Sequence, residues 1–348
     1  MSKWPHQCNV DSFYRNPKGS HKGVNPKFGE KMKHIILICS LAILTACATQ
    51  SQKKDSVSLA VNAPVAGIKE IPSSSLSLSE PALYLLPDKA LQVTQIGAVL
   101  DSLKGNENII LYVHGRAGGK KQEPSKSLKD VMPSLTEDYK AKAIMFYWPG
   151  AGDGGVTGFP EERARQAAPA LTETLKALQN YKQANATRLQ NVKFILLLHS
   201  MGSIVFEQFI NLYAARSLDR NLFDTVIVNS SASATKGHDV WLKKVDFTRN
   251  LYVTVNNDDS VLRSAGLFRG VRLGKDLKHV NLAQNAVYVD FTNTGVNHRY
   301  FLPSGQEDNP YISQFYETVM GGKGFDFVGF DGLKSVEHRG GATIYQFK

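Results

Sequence analysis

Residues Phe194 to Ile204 read FILLLHSMGSI, an apolar run that passes directly into a serine and a nearby glycine. Nearly continuous apolar runs of this length are typical of parallel strands that are covered on both faces of a sheet. Ser200 and Gly202 favour a sharp turn after the run, and the apolar residues that follow favour a helix. The stretch therefore predicts a buried strand, a tight turn and a helix in immediate succession, which is the repeating unit of an α/β fold.

Similar short apolar runs recur along the chain, with helical patterns between them. Predicted strands span Ala82 to Pro87, Leu91 to Ile96, Asn108 to His114, Ala141 to Trp148, Val192 to Leu198, Thr225 to Asn229, Asn250 to Val255 and Ala286 to Phe291. Predicted helices span Glu161 to Asn180, with a kink at Pro169, Gly202 to Ser217 and Ile312 to Val319. This alternation predicts a mostly parallel central sheet with helices on both faces. Only about twenty residues separate the strands that flank residues 230–249, which is too few for a large lid domain.

The N-terminal region carries the pattern of an export signal. Basic residues around Lys33 precede Ile35 to Ala46, a twelve-residue apolar run that is too short to span a bilayer as a helix. The run ends in Leu-Thr-Ala before Cys47, which resembles the lipobox of bacterial lipoproteins. The resemblance implies a signal peptide over residues 32–46 and a Cys47 that carries fatty acyl chains such as palmitate. The alternative is a buried apolar helix with an incidental cysteine.

The rest of the chain divides around this signal. Residues 1–31 are polar and lack apolar periodicity, so we expect a disordered upstream extension, with translation from Met32; the alternative is a long basic leader. Residues 47–78 have the Ser-, Gln- and Ala-rich composition of a flexible tether. We expect the folded domain over residues 79–320 and a C-terminal extension over residues 321–348.

Localisation follows from the same pattern. A lipidated Cys47 predicts attachment to a membrane of the cell envelope. Ala48 follows Cys47 where some lipoproteins carry aspartate, and the resemblance then implies the outer membrane, facing the periplasm, if the cell is Gram-negative. Of the three cysteines, Cys8 and Cys39 lie before the cleavage point, so we expect no disulfide in the mature chain.

Composition excludes several other classes of protein. The 348 residues are 42% hydrophobic and 21% charged, which is typical of globular proteins. Residues 1–46 contain seven basic and two acidic residues, so their removal lowers the net charge from +10 to +5. The sequence contains no cluster of Lys and Arg interleaved with aromatic residues, which is the pattern that would predict nucleic-acid binding. Spacings typical of metal sites are also missing from the sequence, so we expect neither a metal nor another cofactor.

The Gly-rich segment Gly150 to Gly158 superficially resembles a nucleotide loop. It lacks both the Gly-Lys-Ser/Thr ending of a P-loop and the G-x-G-x-x-G spacing. We therefore expect it to be a loop of the active site, with Trp148 and Phe159 as substrate-binding side chains at its ends.

Ser200 is the candidate nucleophile. In a nucleophile elbow, G-x-S-x-G, the serine occupies a strained turn between strand and helix, which exposes its hydroxyl. Here the pentapeptide is Leu198-His199-Ser200-Met201-Gly202, so the second glycine is present and leucine replaces the first. Leucine at this position predicts some local rearrangement. The alternative is a strand-to-helix junction whose serine caps the helix.

Four stretches together resemble the α/β-hydrolase superfamily over about residues 80–320. They are IILYVHG at 109–115, FYWPG at 146–150, the elbow, and the strand-end loops NNDDSVL at 256–262 and NHRYF at 297–301. The superfamily's order of Ser, then Asp or Glu, then His implies Ser200, Asp259 and His298 as a catalytic triad, with Asp258 as the alternative acid.

The resemblance also implies roles for residues beside the triad. The backbone amides of Met201 and Arg116 would form an oxyanion hole, and Gly115 would let the backbone approach the substrate. His114 and His199 are common in these motifs as structural residues that pack and form hydrogen bonds.

Two classes of function follow. The first is a membrane-anchored serine hydrolase that cleaves a small-molecule or lipid ester through an acyl-serine intermediate; a thioesterase or peptidase would use the same triad. The second is a non-catalytic envelope lipoprotein that uses the fold for binding or scaffolding, with Leu198 as its sign. The sequence leaves protein partners open.

Overall fold

A computed structural model describes residues 80–85, 89–103, 107–116, 126–151, 158–213 and 217–348. The predicted boundaries at residues 31, 46 and 78 lie outside this range, as do Cys47 and most of the Gly150 to Gly158 loop. The signal peptide, the lipidation and the tether therefore stay predictions.

The described strands form one ten-stranded sheet in the order β2-β1-β4-β3-β5-β6-β7-β8-β10-β9. The strands are β1 (Ala82–Leu85), β2 (Lys89–Leu91), β3 (Asn108–Val113), β4 (Ala141–Tyr147), β5 (Phe194–His199), β6 (Phe223–Asn229), β7 (Thr248–Val255), β8 (Val287–Asp290), β9 (Leu333–Arg339) and β10 (Ala342–Phe347). The seven strands from β4 to β10 in this order run parallel, whereas β1 and β9 pair antiparallel with their neighbours. The predicted fold class, a mostly parallel α/β sheet, is confirmed.

Helices cover both faces of the sheet, as predicted. They are α1 (Ile96–Asp101), α2 (Lys126–Glu137), α3 (Glu161–Gln166), α4 (Ala168–Ala184), α5 (Gly202–Tyr213), α6 (His238–Leu242), α7 (Ser260–Arg269) and α8 (Pro310–Met320). Strand side chains alternate between two buried clusters: Leu111 and Val113 of β3 join α1, α4 and α5, while Ile110 and Tyr112 join α2 and α8. This alternation follows from the two-residue period of a strand. No helix of the described chain is long and apolar enough to cross a membrane.

Three predicted elements differ in the structure. The expected strand Leu91 to Ile96 ends at Leu91, and Ile96 instead begins α1. The expected long helix from Glu161 is interrupted at Ala167, because Pro169 lies in the first turn of α4, where proline is tolerated. The sheet also continues past residue 320: β10 pairs in parallel with β8, so the C-terminal segment belongs to the same sheet.

The carboxyl ends of the central strands place the candidate residues at one edge of the sheet. Gly115, Ser200 and Asp259 follow β3, β5 and β7, and these strands are mutually parallel. Residues 230–247, between β6 and β7, contain only the short helix α6. Catalytic groups in open α/β sheets lie at this edge, which is the location that the sequence predicts.

We expect Gly202→Ala to destabilise the protein and Gly266→Ala to stabilise it. A Cβ at Gly202 would lie 2.3 Å from the Val113 carbonyl oxygen, whereas a Cβ at Gly266 in α7 would have no atom within 4 Å. Overpacking against backbone costs about 1–3 kcal/mol, and Gly to Ala within a helix gains about 0.5–1 kcal/mol. Urea unfolding of the two variants measures both effects. A Gly202→Ala protein as stable as wild type would contradict the close approach of α5 to β3.

Candidate active site

Ser200 occupies a strained backbone conformation at the start of the turn after β5. Its φ of +52° lies in the left-handed region, which non-glycine residues seldom adopt and which costs about 1–3 kcal/mol. The Ser200 N–H donates to the Asn229 carbonyl at 3.0 Å, and the Ser200 carbonyl accepts from the Ala232 N–H at 3.1 Å. The end of β6 therefore holds the serine in this conformation, which is the geometry expected of a nucleophile elbow.

Two glycines allow the turns after β3 and β5 to meet. A Cβ at Gly115 would lie 2.8 Å from the Ser200 Cβ, and one at Gly202 would lie 2.3 Å from the Val113 carbonyl oxygen. Any side chain at either position would push the two turns apart. The structure thus brings the HG turn and the elbow into direct contact.

Leu198 does not crowd this turn. Its side chain is fully buried in the core, and its backbone pairs regularly with Val113 of β3 and Val228 of β6. Leu198 still belongs to β5, and its side chain points into the hydrophobic cluster that includes residues of α4 and α5. The local rearrangement that the sequence predicts is absent in the described residues around it.

His298 and Asp259 are joined by a short hydrogen bond. The His298 Nδ1 lies 2.6 Å from the Asp259 Oδ2, and the other carboxylate oxygen accepts the Leu262 N–H at 2.9 Å. Asp259 therefore also caps the N-terminus of α7, and its side chain is fully buried. Two such hydrogen bonds fix the carboxylate, and the carboxylate fixes the tautomer and orientation of the imidazole.

Asp258, the alternative acid, points elsewhere. Its carboxylate accepts the Asn293 N–H at 2.8 Å and lies on the exposed side of the loop. Of the two carboxylates that the sequence leaves open, the structure brings only Asp259 to His298.

The His298 ring lies beside the nucleophile elbow. The ring packs against the His199 ring, with centroids 4.7 Å apart, and its side chain keeps 14% of its surface exposed. In the part of the chain that the structure describes, no hydrogen bond joins the Ser200 hydroxyl to His298. Catalytic hydrogen bonds are often long before substrate binds and tighten only in the complex.

His199 is a structural residue, as the sequence predicts. Its buried ring lies between those of His298 and Phe301. Burial, reinforced by the nearby positive charge of His298, holds the pKa of His199 well below the usual value for histidine. His199 therefore stays neutral at pH 7.

His114 and Trp148 lock the turn that follows β3. The His114 Nδ1 lies 2.5 Å from the Gly115 carbonyl oxygen, its Nε2 lies 3.1 Å from the Trp148 N–H nitrogen, and the Trp148 Nε1–H donates to the His114 carbonyl at 2.8 Å. Burial lowers the pKa of His114 to about 4. The neutral ring then donates from Nδ1 and accepts at Nε2.

Trp148 is consequently not a pocket wall. Its side chain has no exposed surface and stacks on His114, so it supports the turn from behind. Phe159 is half-buried, and its ring packs under the Arg116 guanidinium at 5.1 Å from the centroid. The buried Trp148 side chain does not fit the expectation of a substrate contact, and for Phe159 that contact stays a prediction.

The two predicted oxyanion donors, Met201 and Arg116, belong to the turns after β5 and β3. The Met201 N–H precedes the first residue of α5 and has no acceptor among the described groups. Arg116 follows Gly115, whose backbone touches the serine. Backbone N–H groups at the beginning of a helix favour negative charge, which an oxyanion hole requires.

Sequence reasoning missed the residues that position the loop of His298. The Ser230 hydroxyl donates to the His298 carbonyl at 2.9 Å and accepts from the Asn229 side-chain amide at 3.0 Å. Tyr316 of α8 donates to the Asn229 Oδ1 at 2.5 Å. The available signal was the polar run Asn-Ser-Ser directly after an apolar strand. Within the described ranges, no three metal-ligating side chains form a group that could hold a metal ion.

Comparisons with known proteins give only remote similarities. No family model and no curated protein matches the sequence. A cold-adapted esterase from an Arctic intertidal metagenomic library matches with 14% identity and a TM-score of 0.36, over 62% of this chain and 83% of that chain. A hyperthermophilic esterase from Pyrobaculum calidifontis has 16% identity and a TM-score of 0.34, over 63% and 78%. The metagenomic carboxylesterase EstE1 has 10% identity and a TM-score of 0.33, over 84% and 98%.

We expect His114 to make the protein less stable as the pH falls. Its folded-state pKa of about 4 lies below the unfolded value of 6.5, so the unfolded chain binds the proton first. The stability that neutral His114 contributes is complete above pH 6.5 and is lost as the pH falls towards 4, by about 2 kcal/mol between pH 8 and pH 5. Urea unfolding of wild type and His114→Asn across this range measures the slope. An equal slope in both proteins would contradict the assignment.

Proposed function

We propose that this protein is a serine hydrolase that cleaves a carboxylic ester through an acyl-serine intermediate. The observation that carries the proposal is the 2.6 Å contact between His298 Nδ1 and Asp259 Oδ2, beside a serine with φ of +52°. Ser200, Asp259 and His298 come from three loops, which follow β5, β7 and β8. A serine hydroxyl needs such an oriented imidazole to become a nucleophile at neutral pH.

The proposal gives each group a role that the geometry supports. Because Asp259 accepts from Nδ1, the proton sits on Nδ1 and the Nε2 lone pair is left to accept the Ser200 proton. The Ser200 Oγ then attacks the ester carbonyl, and His298 returns the proton to the leaving alcohol. Water repeats the sequence on the acyl-serine and releases the acid.

The oxyanion of each tetrahedral intermediate would lie between the amides of Met201 and Arg116. Losing one such donor costs about 3 kcal/mol of transition-state stabilisation in other serine hydrolases. Gly115 supports this arrangement, since its lack of a side chain keeps the Arg116 segment close to Ser200.

The second candidate is a binding or scaffolding module on the same fold. The observation that favours it is the missing hydrogen bond between the Ser200 hydroxyl and His298 in the described chain. A thioesterase or a peptidase would share the triad and differ only in the leaving group.

We further propose that acyl chains on Cys47 anchor the protein to a membrane of the cell envelope, at the outer membrane if the cell is Gram-negative. The support is the sequence Leu-Thr-Ala-Cys after a short apolar run. The substrate would then be a small ester of the envelope or a lipid ester from the same membrane.

We expect Asp259→Asn to lower kcat by about 10⁴-fold and Asp258→Asn to leave it near wild type. Asparagine at residue 259 still caps α7 but presents the wrong hydrogen-bonding group to His298. The measurement is the rate of labelling by a fluorophosphonate probe and of hydrolysis of an aryl acetate, together with urea unfolding.

Ser200→Ala should abolish labelling, and His298→Ala should reduce it sharply. Wild-type protein that unfolds cooperatively yet is not labelled would favour the binding module. Equal effects of the Asp258 and Asp259 variants would contradict the assignment of the acid.

For the anchor, we expect Cys47→Ser to release the protein from the membrane fraction and to abolish incorporation of labelled palmitate. Serine cannot form the thioether on which lipoprotein acylation depends. Fractionation of cells that express either form measures the difference. Membrane attachment that persists in Cys47→Ser would refute a lipid anchor at this residue.

A further inference from the structure

A series of arginine side chains begins one residue away from the backbone of the candidate nucleophile. Arg272 is buried, and its Nη1 donates to the Ala232 carbonyl at 2.9 Å. The Ala232 N–H in turn donates to the Ser200 carbonyl at 3.1 Å. A single residue thus separates this guanidinium from the backbone of the candidate nucleophile.

One carboxylate is shared by three of these cations. The Glu161 Oε1 lies 3.2 Å from Arg272 Nη2 and 3.3 Å from Arg269 Nη1, and its Oε2 lies 3.5 Å from Arg165 Nη1. Because only two carboxylates, those of Glu161 and the nearby Glu207, face these three guanidinium groups, the cluster retains positive charge. Glu207 lies nearby, where burial raises the pKa of its carboxyl group.

The ring of Phe159 links the series to Arg116, which follows Gly115 in the chain. The Arg269 guanidinium lies 5.8 Å from the ring centroid, and the Arg116 guanidinium lies 5.1 Å from it. Both distances allow cation–π attraction, which holds the two charges near the same ring. Four arginines therefore form an arc from Ala232 to the predicted oxyanion residue Arg116, in a cluster with two carboxylates.

The arc contains a donor without an acceptor. The Arg272 Nε is buried and has no hydrogen-bond partner among the residues that the structure describes. An unsatisfied buried donor costs about 1–3 kcal/mol, so an acceptor supplied by a ligand would relieve that cost. Arg269, by contrast, keeps 39% of its side chain exposed and is accessible from solvent.

We propose that this arc binds an anionic group, a carboxylate or a phosphate, on the ester that Ser200 cleaves. The inference rests on the proposed function and adds the substrate class: esters that carry a negative charge near the scissile bond. Guanidinium groups match the planar geometry of carboxylates and the oxygens of phosphates, and partial burial strengthens the pairing.

The test compares 4-acetoxybenzoate, which is anionic, with 4-acetoxybenzamide, which is neutral and carries the same single acetate ester, on full-length protein. We expect Arg269→Gln to lower the ratio of kcat/KM for the anionic ester to that for the neutral ester by about tenfold. Raising the ionic strength from 0.05 to 0.5 M should lower the same ratio in wild type, since salt screens charge pairs. Arg249→Gln is the matched control, because Arg249 is an exposed arginine at the amino end of β7, paired with Asp224.

An unchanged ratio in Arg269→Gln, or an equal fall in Arg249→Gln, would overturn the proposal. A second readout does not depend on turnover: benzoate should slow fluorophosphonate labelling of Ser200 more than benzamide does, and equal protection would also overturn it. Labelling that depends on Ser200 but shows no preference for anions would reject only the anion site. Wild type that is not labelled at all would reject the proposed function, and the anion site with it.

Discussion

The left-handed backbone of Ser200 is the constraint on which the rest of the site depends. A non-glycine residue keeps this conformation only where the surrounding structure over-determines it. Here the end of β6 holds the serine through hydrogen bonds to Asn229 and Ala232. The turn after β3 supports it from the other side, because Gly115 and Gly202 let backbone approach backbone. Strain at one residue is thus maintained by three neighbouring parallel strands.

Asp259 links the chemistry of the site to the secondary structure around it. The same carboxylate begins α7 and orients His298, so the position of the imidazole depends on the residue at which the helix starts. Ser230 fixes the backbone of His298 from the end of β6. The start of α7 therefore fixes the Asp259 carboxylate, and the end of β6 fixes the backbone of His298.

The sequence predicts best where one pattern determines one structure. The runs that became β3 and β5 are continuous in apolar residues, so both strands and the turns after them were predictable. The sequence does not decide between Asp258 and Asp259 as the acid, because either residue can cap a helix. The choice depends on whether α7 begins one residue earlier or later. The exposed, charged strand β9 lacks an apolar face, so no periodicity indicates it. Glu161 and Arg272 are in contact although they lie far apart in the chain, and no local sequence pattern predicts such a pair.

The position of β10 has a consequence for how the protein folds during synthesis. Phe347 of β10 is fully buried against Phe291 and Phe315, and β10 itself inserts between β8 and β9. All other described strands emerge from the ribosome before it. One side of the core therefore remains open until residues 342–347 are available, and such long-range parallel pairing forms slowly.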